Sequence, residues 1–377
     1  MNFEDFIEYA YDNPYNYLSR RYLRDADKSN YDVMTPLYLD SFEDPSVEDP
    51  RSSLEIETKN TILKVFSRPS WVKYESSSKW DTMSQEIWDK FIKSQQTEET
   101  FRKKMNLWRY LFITIKTIFP RYGLYVVGST MSGFGLDSSD MDLCLYVRPV
   151  DELEPRAHAL LHLNYILSYI RSFDPNAELI QAKVPILKFR DSRNGLQVDL
   201  NCNNVVGIRN TNLLHCYSRL DWRVRPLVAL TKLWAQAHDI NDARHRTLSS
   251  YSLTLMVIHF LQCEQVYMRL TLSVRSYDKM AVSVRAGGRV PVAECRAARA
   301  HKNDPHQWKL LCVEEPFDLT NTARSVYDPE TFEKIVNTFR DSYKRLAAGL
   351  RLSQIVTGRP PLIDSHRLCL SADVQLH

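Results

Sequence analysis

Residues Leu124–Val147, LYVVGSTMSGFGLDSSDMDLCLYV, break an apolar run with Gly128 and Ser129 and then set Asp140 and Asp142 where the pattern reads as buried strand. Residues two apart in a strand point to the same side, so the two carboxylates share one face about 7 Å apart along the chain. Like charges that close raise each other's pKa unless a cation neutralises them. Hard divalent ions prefer carboxylate oxygens, and Mg²⁺ typically takes one or two of them together with water and substrate phosphates. Taken alone, an Asp-x-Asp at a strand edge is also compatible with a turn or cap.

The Gly128-Ser129 turn carries small residues on to Gly133 and Gly135, which lets backbone N–H groups approach a phosphate closely. Asp199, in GLQVDLNCN, is a third carboxylate in an apolar strand. If that strand lies beside the first pair, it completes a ligand set for two ions. Two metals about 3.5 to 4 Å apart serve an in-line displacement, one activating the attacking hydroxyl and the other steadying the leaving oxygen.

Around this unit the chain divides by pattern. Residues 1–57, rich in Tyr, Asp, Pro and Ser, read as an acidic, partly disordered arm. Residues 58–97 form an N-terminal helical segment packing on the central domain, with Ile87, Phe91 and Ile92 on one helix face. Residues 98–215 read as the catalytic domain, opening on a helix with Phe101, Met105, Trp108, Phe112, Ile115 and Phe119 at helical spacing and Pro120 as its stop. Strand, turn, strand, helix, strand then implies an α+β fold: a small mixed sheet with helices on one side. Residues 216–346 read as a mainly helical domain centred on the nearly all-apolar SSYSLTLMVIHFLQ, closed by a helix carrying Phe332, Ile335, Val336, Phe339, Tyr343 and Leu346. Residues 347–377 show no pattern. The seven cysteines form no C-x-x-C pair, which excludes zinc-ribbon spacing and a disulfide framework. No segment has the apolar length to span a bilayer and the start lacks signal-peptide character, so a soluble intracellular protein, cytosolic or nuclear, is expected. A net charge of +3 permits contact with a polyanion without demanding it.

VVGSTMSGFGLDSSDMDLCL resembles the signature of the DNA polymerase β-like nucleotidyltransferases. VDLNCNNVVGIRNTNLL, KLWAQAHDIND, TLSSYSLTLMVIHFLQ and CVEEPFDLTNTARSV are similar to cytoplasmic poly(A) polymerases of the germline-development type. The likeness runs from about Asp81 to Leu346. It implies a two-lobed enzyme adding AMP from ATP to RNA 3′ ends, recruited to RNA by an RNA-binding protein. It implies that Asp140, Asp142 and Asp199 hold two Mg²⁺ (or Mn²⁺) ions and that Asp199 helps deprotonate the primer 3′-hydroxyl. By the same resemblance Gly128 and Ser129 meet the triphosphate and Asn210 and Thr211 the nucleotide sugar and base. Lys232 and Ser250 meet phosphate, and Tyr251 stacks on the base.

Relatives that prefer UTP carry an extra histidine just before the position of Asn321. Its absence points to ATP, with Glu315, Asp318 and Arg324 on or behind the adenine side. Two departures from the family pattern stand out. Arg246 replaces the glycine usual before TLSSYS, and the chain looks shortened after about residue 262. The second departure motivates one alternative, a catalytically impaired homologue that occupies RNA-binding partners; a terminal uridylyltransferase is a further alternative, against which the missing histidine counts.

Overall fold

The computed structural model describes residues 81–148, 154–182, 184–263, 279–300, 302–349 and 351–356. The N-terminal arm, the stretch after residue 263 where shortening is expected, and most of the tail lie outside the described residues.

Helices α1 (Asp81–Ser94) and α2 (Glu98–Ile118) lead into β1 (Gly123–Val127), a one-turn helix α3 (Ser129–Ser132) and β2 (Met141–Tyr146). Helix α4 (Pro155–Ile170), β3 (Glu178–Ile180), β4 (Ile186–Asp191) and β5 (Leu196–Cys202) follow. The sheet order is β1-β2-β5-β4-β3. Only β2 and β5 run parallel; the other neighbours are antiparallel. Alternation decides the faces. Leu124, Val126, Met141, Leu143, Leu145, Leu187, Phe189, Val198 and Leu200 pack with α2 and α4 into one core, leaving the intervening residues on the opposite, open face.

The helical domain contains α5 (Val205–Leu220), α6 (Val224–Ala237) and α7 (Ser250–Cys263). A hairpin, β6 (Met280–Ser283) and β7 (Gly288–Pro291), leads to the short α8 (Val292–Ala297), and α9 (Pro329–Ala347) and α10 (Leu352–Val356) follow. Asp328 caps α9 by accepting from the Thr331 amide at 2.9 Å, and Gly349 follows the helix at φ 83°.

Several readings from the sequence need correction. The boundary at 215/216 falls inside α5, whose Leu213 and Leu214 already belong to the helical core. The division by cores therefore falls between β5 and α5. The tail does not begin without structure: Leu352, Ile355 and Val356 of α10 are buried in the helical core, and the Leu352 amide donates to Glu86 at 2.8 Å. Ile92 and Tyr343 are exposed although they share apolar helix faces. In α2 the buried stripe is Lys104, Leu107, Trp108, Leu111 and Ile115, with Phe101, Met105 and Phe112 flanking it.

Helix α10 thus gives a direct test of the domain's extent. Ile355→Asp should lower stability by about 3 kcal/mol, because it buries an unpaired charge in an apolar site. Urea unfolding followed by circular dichroism reads the shift.

Candidate active site

Parallel pairing of β2 with β5 sets Asp142 directly opposite Asp199, and Val127 at the end of β1 flanks Asp142 on the other side. Because Met141, Leu143, Val198 and Leu200 are committed to the core, both carboxylates must stand on the open face. Asp140, two residues before Asp142, faces the same way. The sequence-predicted trio therefore shares one face of the sheet.

Burial, reinforced by Asp199 and then Asp140, pushes the Asp142 carboxyl up to about 6. Asp140 is also raised, first by burial and then by Asp199. Lysines oppose both shifts. Lys188, in register with Asp199 on β4, donates to both Asp199 oxygens at 2.5 and 2.7 Å. Among the described residues no three histidine, cysteine, aspartate or glutamate side chains converge on one point. The donor set fits divalent ions nonetheless: paired carboxylates with raised pKa at Asp140 and Asp142, and Asp199 already engaged by a cation whose place a metal can take.

Lys104 lies wholly buried behind the site. Its ammonium donates to Gln96 Oε1 at 3.0 Å, to the Ser139 carbonyl at 2.8 Å and, more weakly, to Thr130 Oγ1 at 3.4 Å. One side chain thereby ties α2 to α3 and to the residue immediately before Asp140. Burial lowers its pKa, while Asp142, Asp140 and Asp137 counteract.

Gly128 has φ 70°, and a Cβ there would overlap the Asp142 carboxylate, coming within 2.9 Å of Cγ. Only glycine lets the chain pass so close. Its amide donates to Thr211 Oγ1 at 2.9 Å, and the Thr211 hydroxyl donates in turn to the Gly207 carbonyl at 2.7 Å. Thr211 is buried and holds the turn; its single proton is not available to a nucleotide. Ser129 opens α3 beside it. Lys232, also buried, donates to the Phe134 carbonyl at 2.9 Å, and burial lowers its pKa to about 8 while Asp142 acts against the shift.

Helices α5 and α7 carry the remaining predicted nucleotide contacts, Asn210 and Thr211 on α5 and Ser250 and Tyr251 on α7. The Asn210 Oδ1 is buried without a hydrogen-bond partner, the kind of orphan acceptor that a bound group would satisfy. Ser250 donates to Asn241 Oδ1 at 3.0 Å, and Ser249 caps α7 by accepting from the Ser252 amide at 3.0 Å. Tyr251 donates to Glu315 Oε1 at 3.1 Å.

Residues 83–219 match the family described as poly(A) RNA polymerase, mitochondrial-like, central palm domain, and residues 276–321 match the Cid1 family of poly A polymerases. The chain is 44% identical over 328 residues to Poly(A) RNA polymerase gld-2 homolog A of Drosophila melanogaster, covering 74% of this chain and 24% of that one. It is 35% identical over 339 residues to Poly(A) RNA polymerase GLD2 of Bos taurus, covering 75% of this chain and 68% of that one. The structure of a GLD-2/RNP-8 complex superimposes at a TM-score of 0.62 with 36% identity, covering 73% of this chain and 97% of that chain. The chain belongs to the GLD-2 family of poly(A) RNA polymerases. It spans about a quarter of the Drosophila relative's length.

Within this GLD-2 family member, the 314–325 loop supports the pocket wall more than it lines it. The buried Glu315 accepts from the Phe317 and Asp318 amides at 2.7 and 2.5 Å as well as from Tyr251. Asp318 accepts from the Thr320 hydroxyl at 2.7 Å, and the exposed Arg324 donates to the Asn321 carbonyl at 3.1 Å. Asn321 is enclosed, exchanging hydrogen bonds with Val313, Ala323, Gln307 and Leu311. Lys104, Lys188 and Arg244, whose charge acts on Asp140 and Asp199 from the helical side, are absent from the sequence-derived site. A lysine in the apolar stripe of α2 is the one visible signal among them.

The charge balance predicts a trade between stability and function. An acid whose folded pKa is raised binds more protons folded than unfolded, so its contribution falls as pH rises from about 4 to about 6 and stays lost above. Asp142→Asn should therefore stabilise the metal-free protein at pH 7 by on the order of 2 kcal/mol, with the advantage vanishing near pH 4. Thermal unfolding of both proteins across this pH range measures the difference.

Proposed function

We propose that this chain is a template-independent RNA adenylyltransferase working in the cytoplasm. The primer 3′-oxygen attacks the α-phosphorus of ATP, the bond to the β-phosphate oxygen breaks, and pyrophosphate leaves. The observation that carries this reading is the register of Asp142 with Asp199, beside Asp140 and under the Gly128 turn. Nucleophile and leaving group must meet within one such space.

Asp140, Asp142 and Asp199 would hold Mg²⁺ or Mn²⁺, with Lys188 releasing at least one Asp199 oxygen. When bound, the metals supply charge neutralisation and activation of the primer hydroxyl. Asp199 receives the hydroxyl proton or stabilises its departure. Gly128 and Ser129 bring backbone against the triphosphate and Lys232 adds a phosphate contact, while the Ser250 proton is committed to Asn241. Asn210 offers its orphan acceptor to the nucleotide, while Tyr251, steadied by Glu315, stacks on the base. The absence of a histidine before Asn321 supports adenine over uracil. A net charge of +3 gives only modest attraction to RNA, and the similar GLD-2 structure is that of a complex with RNP-8. Both support recruitment by an RNA-binding protein.

Purified protein with Mg²⁺ should extend an oligo(A) primer with ATP far better than with UTP, CTP or GTP, as read on a sequencing gel. Equal or greater incorporation of UMP overturns the substrate, and extension by Asp140→Ala overturns the mechanism. Gly128→Ala should abolish extension, because the new methyl displaces Asp142. MgATP at 100 times its dissociation constant should stabilise the wild type by about 2.7 kcal/mol, and an unchanged melting temperature supports the partner-binding alternative instead.

A further inference from the structure

The junction between α1 and α2 is bound to the segment that leads into Asp140. Asp137 N donates to the Ser94 carbonyl and Gln96 N to the Gly135 carbonyl, each at 2.9 Å. Thr97 donates to Asp137 Oδ1 through its amide at 2.9 Å and through its hydroxyl at 2.8 Å. Two side chains, Gln96 and Lys104, join each other within this frame: the Lys104 ammonium donates to Gln96 Oε1 at 3.0 Å, and Gln96 Nε2 donates at 3.2 Å to the Thr130 carbonyl of α3.

An ammonium has three N–H groups, and Lys104 directs them to Gln96, to the Ser139 carbonyl and to the Thr130 hydroxyl. None is left for a substrate, and the residue is fully buried. Packing alone does not call for a lysine here. Leu107, Trp108, Leu111 and Ile115 complete the same buried stripe of α2, and a buried charge is seldom better for stability than a well-packed apolar residue. What lysine supplies and leucine cannot is a fixed distance between two polar segments. One is α3, which begins directly after Gly128; the other is Ser139, whose carbonyl belongs to the peptide bond with Asp140. Gln96 repeats the connection to α3 through the Thr130 carbonyl.

On the proposed function, on which this inference rests, the Gly128 turn meets the triphosphate and Asp140 is a metal ligand. We infer that Gln96 and Lys104 are positioning residues for the reaction: touching neither metal nor nucleotide, they hold the Asp140 peptide against α3 so that the carboxylate and the Gly128 turn meet one metal–triphosphate unit. A misplacement of about 1 Å in such an arrangement costs on the order of 100-fold in rate.

The sign of the change in metal affinity separates positioning from charge. Lys104→Met removes a positive charge next to the Asp140 peptide, and Coulomb's law alone then makes a divalent cation bind more tightly. Loss of positioning makes it bind more weakly, by about 10- to 100-fold, as for other residues that orient metal ligands. The whole chain, free of nucleotide and RNA, is titrated with Mn²⁺, and free Mn²⁺ is read by electron paramagnetic resonance. Lys104→Met should raise the dissociation constant at least tenfold. Gln96→Leu, which keeps the charge and alters a partly exposed side chain, should raise it several-fold, and the double variant should be little worse than Lys104→Met because both act through one contact. Ile115→Ala, in the same stripe of α2, should lower the melting temperature and leave the dissociation constant alone. Primer extension by Lys104→Met and Gln96→Leu should need correspondingly more Mn²⁺ for half-maximal rate. An unchanged or tighter dissociation constant in folded Lys104→Met overturns the inference, as does an Ile115→Ala effect of equal size; should Lys104→Met not fold, an unchanged constant in Gln96→Leu overturns it. Asp140→Ala binding Mn²⁺ as the wild type does fails the metal assignment, and with it the functional reading, instead.

Discussion

Parallel register between β2 and β5 is the constraint from which the site follows. It fixes Asp142 opposite Asp199 on strands about 4.8 Å apart, at which two charges repel by roughly 3 kcal/mol for an effective dielectric of 20. The apolar residues on either side of each aspartate are packed against α2 and α4, so a one-residue slip would exchange carboxylates and core. Core packing thus supplies the energy that holds the carboxylates together. Lys188, Lys104 and Lys232 reduce the cost, each from a different element: β4, α2 and α6.

The Gly-rich segment 128–135 is both part of this site and the joint between domains. Its Gly128 amide is bound by Thr211, its Gly133 carbonyl by Arg225 at 3.0 Å and its Phe134 carbonyl by Lys232. All three partners come from α5 and α6, and Phe134 is buried in the helical core. A shift of the helical domain therefore cannot leave the turn over Asp142 untouched. This is a mechanical link between the wall with Asn210 and Tyr251 and the face with the carboxylates, made of hydrogen bonds to backbone carbonyls and one buried hydroxyl.

What the sequence made legible was whatever violates a local pattern. Asp140, Asp142 and Asp199 stood out because charge interrupts an apolar strand, and Gly128 because a turn needs it; their strands and the helices α4, α6 and α7 followed from periodicity. Lys188 carries no such signal, since it sits on the open face of an amphipathic strand and gains its partner, eleven residues on in sequence, only through the register between β4 and β5. Helix α5 hid behind its polar positions, among them Asn204, which caps it by accepting from the Gly207 amide, and Asn210 and Thr211 within it, of which Thr211 reaches Gly128 across the domain joint. Ile92 and Tyr343 misled in the opposite direction: periodicity identifies a helix face but not how wide a stripe its neighbours cover. Thr211 shows the same limit at the level of role, because the family motif places it in the pocket while the hydrogen bonds place it behind Gly128.

Lys188 bears on how such a site exists without metal. Three carboxylates facing one space would splay or stay protonated if left alone; a lysine across β4–β5 binds both oxygens of Asp199 and removes that charge from the balance. A divalent ion at Asp199 must displace part of this pair, so on the proposed reading the measured metal affinity is the direct affinity reduced by the strength of the ion pair. The ammonium is not lost in the exchange. On that reading the released ammonium would remain on β4 beside Asp199, where a positive charge would stabilise the negative charge that develops on the leaving oxygen. The same residue then steadies the resting fold and contributes to the field of the loaded site. A neutral replacement forfeits both, whereas the removal of Asp199 forfeits the metal as well.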